Sequence, residues 1–397
     1  MNLRLSSLTI WCAIFFLMSI LILWILLALM SKSGISIGAP VDMEITGQVG
    51  DYIGGTIGTL FAGAGFWLLI ITLRQQIESS KLNEFDNLFS KMLMLNQQNV
   101  SEMEVDARNL LPDKDKLYIE PRVYRGKEVF QLFYYQFITC RNELSPILTK
   151  SDKIYTKNYE KIISEKEFIK ARGINIYELA KIDICYSIVF FGANSEGIRI
   201  LKGLFKNRYR DRIIEKVLKY ISLKPAFDKE YNKRWLKFDS YSSPRNLIEH
   251  IEDIYNWRVN QTIKNYYPKF EESKGYRSDF VKYYNGFHQI LGHYYRHLYQ
   301  LVNSVDRSPL IDSKNKYEKV KLVRGQMSNY EQIVFFLNSL SVFGRVWELD
   351  YEVSDEKETH HDLITHYKLI KNIPAQSLFG IDITKYYPDI KFETFDI

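Results

Sequence analysis

The chain has 397 residues, of which 46% are hydrophobic and 25% charged, a composition that can bury a sizeable core. Its formal net charge of +6 only weakly favours anionic partners such as lipid headgroups or nucleic acid. The three cysteines, Cys12, Cys140 and Cys185, include no Cys-x-x-Cys pair, which excludes a disulfide framework and a cysteine-type zinc site.

The first predicted element is an uncharged apolar stretch of 23 residues, 8–30. As a helix it would extend about 34 Å, enough to cross a hydrocarbon core of about 30 Å. A cleaved signal peptide is disfavoured because the stretch is long, lacks a small-residue cleavage site and is followed by a second apolar stretch. The sequence therefore predicts a transmembrane helix over 8–30.

The second predicted transmembrane helix covers residues 52–73, which also carry no charge. Small residues recur along it at four-residue steps in two rows, Gly54, Gly58, Ala62 and Gly55, Thr59, Gly63. Such rows let helices pack closely in lipid. Their partner could be the first span of the same chain or a second copy of the chain, and the sequence leaves both open.

Charges beside the two spans predict their orientation. Arg4 precedes the first span, and Arg74 and Lys81 follow the second, whereas the connecting loop is acidic on balance. Basic flanks remain on the cytoplasmic side. We therefore expect a multi-pass protein of the cell inner membrane with both termini in the cytoplasm.

The remainder is predicted to be mainly α. We expect a two-helix transmembrane hairpin over 1–80, then a predominantly helical cytoplasmic domain in three parts. These are a helical stalk and first part over 81–149, a helical insertion over 150–285 and a helical core over 286–397. Apolar spacing predicts helices over 128–148, 176–191, 196–222 and 244–265. A capping box is predicted at Ser328 and Glu331. It begins a helix that is predicted to end at Gly344.

Basic and aromatic residues are interleaved in the segment 202–237, which has 12 Lys or Arg against 4 Asp or Glu. The aromatic residues there are Phe205, Tyr209, Tyr220, Phe227, Tyr231 and Trp235. Such a segment fits a nucleic-acid groove, the anionic inner leaflet or simply a solvated helix face. The candidate contacts with nucleic acid or lipid headgroups are Lys206, Arg208, Arg210 and Arg212.

No phosphate-binding loop or hydrolase motif occurs, and we predict no cofactor and no small-molecule substrate. His293 and His297 are four residues apart, but no carboxylate accompanies them as a metal site would require, so no metal is predicted. Arg245 and His250 resemble the Arg-polar-x3-His motif of HEPN ribonucleases. That resemblance implies metal-free RNA cleavage, with His250 as acid or base and Arg245 stabilising the charged phosphorane.

The last part of the chain resembles the phage abortive infection protein family (the AbiC-like group). The motif residues are Arg296, His297, Arg324, Gln326, Ser328, Glu331, Asn338 and Tyr367. The stretches 85–99 and 125–130 are also similar to the family. Gly325 and Met327 stand where the family pattern has Ala and Leu. The family has no established catalytic residues, so none is carried over.

The resemblance implies antiphage defence by abortive infection. Similar two-span proteins serve as retron effectors with a reverse transcriptase and its RNA–DNA product, which implies the same partners here. We expect a non-enzymatic toxin effector that forms homo-oligomers and disturbs the inner membrane when triggered. The alternative is a membrane-tethered ribonuclease using Arg245 and His250.

Overall fold

A computed structural model of the chain describes residues 19–20, 24, 43–107, 122–149, 153–222, 284, 286–348, 362–374, 378 and 380–393. The described part is mainly helical, which confirms the predicted fold class at this level. The chain divides into two compact units, Met1–Glu84 and Phe85–Ile397, each of which is described by itself.

The elements follow in chain order. The helices are α1 (Met43–Ser101), α2 (Glu128–Leu144), α3 (Lys157–Glu165), α4 (Glu167–Arg172), α5 (Ile176–Phe191), α6 (Ser195–Phe205), α7 (Asp211–Ser222), α8 (His288–Asp306), α9 (Ser313–Gln326), α10 (Asn329–Leu340), α11 (Leu363–Tyr367) and α12 (Ile383–Tyr386). A 3-10 turn covers Arg345–Trp347, and the strands β1 (Glu104–Asp106) and β2 (Val123–Arg125) pair antiparallel.

The first unit contains one candidate membrane span. The helix from Gly50 to Ser101 includes an 18-residue window of mean hydropathy 1.9, none of it buried, which is long and apolar enough to cross a membrane by length and composition. Of the predicted first span, only Ser19, Ile20 and Trp24 are described, so the proposed hairpin lies largely outside the described residues. Length and composition thus indicate membrane association for one helix.

The second unit is built around α5, which packs against α2, α6 and α10. In α5 nearly every side chain from Leu179 to Phe190 is buried, and in α10 every residue from Glu331 to Leu340 is buried. Aromatic contacts join these helices, for example Phe133 of α2 with Tyr186 of α5, whose ring centroids are 5.1 Å apart. The described residues of 153–222 contribute to the same core as those after 286.

Helices α5 and α10 form where the sequence predicts helices. The bounds of α5 are those predicted, 176–191, because a continuous apolar run with an Asn175 cap defines the helix locally. The capping box at Ser328 and Glu331 is also confirmed. The helix predicted over 128–148 forms but ends at Leu144, and the predicted helix over 244–265 lies outside the described residues.

Two predicted boundaries are wrong. The helix expected over 196–222 is interrupted between Phe205 and Asp211, where Asn207 adopts a left-handed φ of 66°. Gly344 does not stop α10, because the helix ends at Leu340 and Ser341 caps its last carbonyls. The strand pair β1–β2 was not predicted.

The interruption after α6 forms a defined turn, residues 206–210, held by backbone pairing to residues 154–156. Tyr155 and Tyr209 form an antiparallel bridge. The amide of Thr156 donates to the carbonyl of Arg208 and the amide of Arg210 to that of Ile154, both at 2.9 Å. Two segments distant in sequence therefore become neighbours.

Candidate functional site

The capping box of α10 also joins α10 to α8. Ser328 and Glu331 exchange hydrogen bonds of 3.2 Å, each side chain accepting from the other residue's backbone N–H. The Tyr294 hydroxyl of α8 donates to the other Glu331 carboxylate oxygen at 2.5 Å. Burial raises the pKa of Glu331, although the bonds from Tyr294 and Ser328 act in the opposite direction. Glu331 therefore caps the start of α10 and links this helix to α8.

Arg324 joins α9 to the end of α11. Its guanidinium donates to the carbonyls of Tyr367 and Lys368, at the end of α11, at 3.2 and 3.1 Å. The Tyr367 hydroxyl in turn donates to the carboxylate of Asp306 at 2.7 Å. Burial, followed by the contact with Asp306, raises the pKa of Tyr367. These two motif residues connect α8, α9 and α11.

Asn338 joins α10 to α5. Its side-chain amide donates to the Tyr186 hydroxyl at 2.8 Å in the core. Gly344 lies against Asn338 so closely that a Cβ at position 344 would be 2.3 Å from its backbone and side-chain oxygens. Glycine is therefore required at 344 for close approach, which explains the residue that sequence alone interpreted as a helix stop.

The other motif residues are nearer the surface. Arg296 is exposed and donates to the carbonyl of Gly292 at 3.0 Å, and His297 is half-buried with a pKa lowered by burial. Gln326 is half-buried, and its carbonyl accepts from the Lys127 ammonium at 2.9 Å. Four of the eight motif residues, Arg324, Glu331, Asn338 and Tyr367, therefore connect helices through their side chains.

A buried network outside the motif centres on Asp183 of α5. One Asp183 oxygen accepts from the Tyr209 hydroxyl, and the other accepts from the backbone N–H of Val342 at 2.8 Å. Arg345 lies 3.9 Å from the same carboxylate and donates to the Tyr159 hydroxyl at 2.9 Å. Burial opposes the charge on Arg345, but Asp183 together with Tyr159 and Tyr209 outweighs burial, and the pKa of Arg345 is raised.

A second network missed from sequence lies at the end of α4. Arg172 donates to the carboxylate of Glu348 at 2.9 Å and to the carbonyl of Tyr386 at 2.6 Å. Glu348 also accepts from the backbone and hydroxyl of Thr365, and burial raises its pKa. These contacts fasten α11 and α12 to α4. The sequence signal for such buried networks is a single charged residue within an apolar stretch, such as Asp183 in 182–191.

Both small-residue rows on α1 are exposed, comprising Gly54, Gly58, Ala62 and Gly55, Thr59, Gly63. No described atom lies within 4 Å of a Cβ built at any of the four glycines. The Thr59 hydroxyl donates to the carbonyl of Gly55 at 2.5 Å, so its polar group is satisfied within the helix. Larger side chains would therefore fit on this helix without disturbing the described part of the chain.

The four predicted basic contacts lie together around the turn 206–210. Lys206, Arg210 and Arg212 are exposed, and Arg208 is half-buried. The aromatic residues Phe205, Tyr209 and Tyr220 of the same segment are buried in the core and cannot stack on bases. The other aromatic residues, Phe227, Tyr231 and Trp235, lie outside the described residues.

Arg245 and His250, the ribonuclease alternative, also lie outside the described residues. Among the described residues no group of three or more His, Cys, Asp or Glu side chains could hold a metal ion. His293 is exposed and its ring lies 3.4 Å from the Arg296 guanidinium, a neighbour unsuited to a cation site.

Residues 286–378 match the family model described as "Putative phage abortive infection protein". The match runs from before α8 to beyond α11 and covers less than a quarter of the chain. It supports the AbiC-like resemblance and a role in phage defence. No curated protein and no solved structure matches the chain.

Proposed function

We propose that this protein is a membrane-anchored antiphage effector that acts by abortive infection and disturbs the inner membrane when triggered. The observation that carries the proposal is the presence, in one chain, of an abortive-infection match over 286–378 and a helix apolar enough to span a membrane. A defence domain attached to such a helix acts at the membrane.

The small-residue rows of α1 form the helix surface whose packing changes, in this proposal, when the effector is triggered. Helices with small residues on one face can pack closely in lipid and can exchange one packing for another at low cost. One or two spans cannot enclose an aqueous path, so the active form is a homo-oligomer in which these rows meet. The spans 8–30 and 52–73 then form a hairpin with both termini in the cytoplasm.

A restraining partner keeps the effector silent in uninfected cells. The proposed partner is a reverse transcriptase with its RNA–DNA product, as the sequence resemblance implies. A reverse-transcriptase gene beside this one, and co-purification of the two proteins, would support that part of the proposal. Release of the chain from the partner during infection would be the trigger.

The test is to replace Gly54 and Gly58 with Leu and to follow uptake of a potential-sensitive dye during infection. Both positions have open space around them in the described part, so the variant should insert and accumulate normally. We expect depolarisation and protection to be lost together, because the added side chains prevent close helix packing.

The control replaces Ala64 with Leu, because the 3.6-residue repeat places position 64 about 80° or more around the helix from every residue of both rows. This control adds bulk to the same helix and should preserve depolarisation. Unchanged depolarisation in the Gly54→Leu, Gly58→Leu variant would contradict the proposed mechanism. Loss of depolarisation in the control as well would show that added bulk anywhere on α1 is harmful. The small-residue rows would then no longer support the mechanism.

A further inference from the structure

The pairing of residues 154–156 with the turn 206–210 assembles a basic surface from two distant segments. The surface comprises Lys153, Lys157, Lys206, Arg208, Arg210 and Arg212, and we call it the basic turn surface. Over 153–157 and 206–212, these six cations are accompanied by one carboxylate, Asp211. Lys153 and Lys157 lie outside the basic segment 202–237, and only the fold brings them next to that segment.

Internal ion pairs do not neutralise these charges in the described part of the chain. None of the six cations forms a salt bridge there, whereas the cations Lys219, Lys319 and Arg172 do. The Nη1 atom of Arg208 is buried and has no hydrogen-bond partner among the described residues. An unpaired buried guanidinium nitrogen is costly, but a phosphate reaches Arg208 only through the exposed part of its half-buried side chain.

Two helices also begin at the basic turn surface. Helix α3 starts at Lys157, with the Thr156 side chain accepting from the N–H of Tyr159, and α7 starts at Asp211, directly after Arg210. The first turn of each helix carries partial positive charge. Each first turn also holds a carboxylate, Glu160 in α3 and Asp211 in α7, which offsets this partial charge, so the six full charges provide the attraction for an anionic ligand.

The buried aromatic side chains decide which anion fits. Phe205 and Tyr209 point into the core, so unpaired bases find no stacking platform in this turn. The exposed side chains of 206–212 are all polar or charged, so nothing in this segment can enter the apolar layer of a lipid surface. Contacts limited to a phosphate backbone remain, and double-stranded nucleic acid presents phosphates most densely.

The surface is connected directly to the family-matched region. Tyr209, between Arg208 and Arg210, donates to Asp183, and Asp183 also accepts from the N–H of Val342, which follows α10. A ligand that displaces the turn therefore acts on a carboxylate that holds residues inside 286–378. Binding at the surface can reach the core through this carboxylate.

We propose that the basic turn surface binds the phosphate backbone of double-stranded nucleic acid without sequence preference. The proposal does not depend on the membrane mechanism, because it concerns the second unit and is tested by binding in solution. Its failure would leave the depolarisation experiment unaffected, and the reverse also holds.

The experiment uses the full-length chain in a non-ionic detergent and fluorescence anisotropy with a labelled duplex of about two helical turns, in mixed-sequence DNA and RNA–DNA forms. The variant replaces Arg208, Arg210 and Arg212 with Ala. We expect its dissociation constant to rise at least about tenfold near 0.1 M salt, and the slope of log affinity against log salt to fall by about three.

The matched control replaces three exposed cations elsewhere in the second unit, Lys314, Lys385 and Lys391, with Ala. It removes the same charge and should leave the salt slope unchanged. If the arginine variant fails to fold, Lys153→Ala with Lys157→Ala tests the other segment, with an expected slope change of about two.

Three outcomes would overturn the proposal. The first is equal binding by the arginine variant, or by the lysine pair that replaces it, and the matched control. The second is tighter binding of a single strand of the same sequence than of the duplex, since that would require stacking. The third is binding to mixed micelles containing phosphatidylglycerol, lost in the arginine variant, with no binding to the duplex; this would assign the surface to lipid.

Discussion

The Tyr209 hydroxyl donates a hydrogen bond to the buried carboxylate of Asp183, and this one contact joins the turn 206–210 to the middle of α5. The second Asp183 oxygen holds the N–H of Val342, just beyond α10. Three chain segments therefore meet at a single carboxylate. A buried carboxylate is stable only while its donors are present, which makes the contact a sensitive position for mutation.

Tyr209→Phe removes one donor from Asp183 and leaves the ring in place. We expect the free energy of unfolding to fall by about 1–3 kcal/mol, the cost of leaving a buried polar group with a bond unmade. Denaturant unfolding of the full-length chain in detergent, followed by tryptophan fluorescence, measures it. Tyr299→Phe is the control, because Tyr299 is half-buried and contacts Trp347 through its ring. Equal effects of the two substitutions would contradict the role given to Asp183.

Gly344 and Gly325 predict opposite results for the same change. Ala at 344 would place a Cβ 2.3 Å from two oxygens of Asn338, so the contact of Asn338 with Tyr186 must shift. We expect a loss of about 1–3 kcal/mol, typical of overpacking.

Gly325→Ala is the matched substitution, because no described atom lies within 4 Å of a Cβ there and the residue is inside α9. Helix propensity then predicts a gain of up to about 1 kcal/mol. Thermal unfolding of both variants tests the pair, and a destabilised Gly325→Ala would show that the glycine has a role the packing does not reveal.

Glu331 predicts an unusual dependence of stability on pH. Burial raises its pKa above the ordinary 4.5, so the folded state binds the proton more tightly than the unfolded chain. Stability contributed by Glu331 is then greatest below pH 4.5 and declines as the pH rises from 4.5 through the raised value. Glu331→Gln removes this titration and keeps an oxygen for Tyr294.

The measurement is the difference in unfolding free energy between the wild type and Glu331→Gln as a function of pH. The wild type should lose stability relative to the variant as the pH rises above 4.5. A difference that is constant with pH would show that Glu331 has an ordinary pKa in the folded protein, and one that changes in the wild type's favour as the pH rises would show a lowered pKa; either result would contradict the prediction.

Local features of this fold could be predicted from the sequence, and long-range contacts could not. Helix α5 and the capping box at Ser328 and Glu331 depend on neighbouring residues, which a single sequence shows directly. The turn at Asn207 depends on pairing with Thr156, some fifty residues earlier in the chain. No local pattern encodes such a partner.

The same distinction holds for the candidate site. Resemblance picked out Arg324, Asn338 and Tyr367 but could not say what they contact. The structure shows that each connects two helices. Asp183 and Arg345 were missed because their partners come from elements far apart in sequence. The small-residue rows on α1 were visible in the sequence, since a four-residue repeat is a local property.

His250→Ala separates the membrane proposal from the ribonuclease alternative. If the protein acts by disturbing the membrane, the variant should protect against phage and depolarise infected cells as the wild type does. If His250 is the acid or base of RNA cleavage, its loss should reduce the rate about 10²–10⁴-fold and abolish protection. Plaque counts, dye uptake and the integrity of cellular RNA are measured in one infection series, with Arg245→Ala beside it. The ribonuclease alternative would be favoured if both variants lose protection and leave intact the cellular RNA that the wild type cleaves. Membrane insertion and protein level must stay normal in both variants.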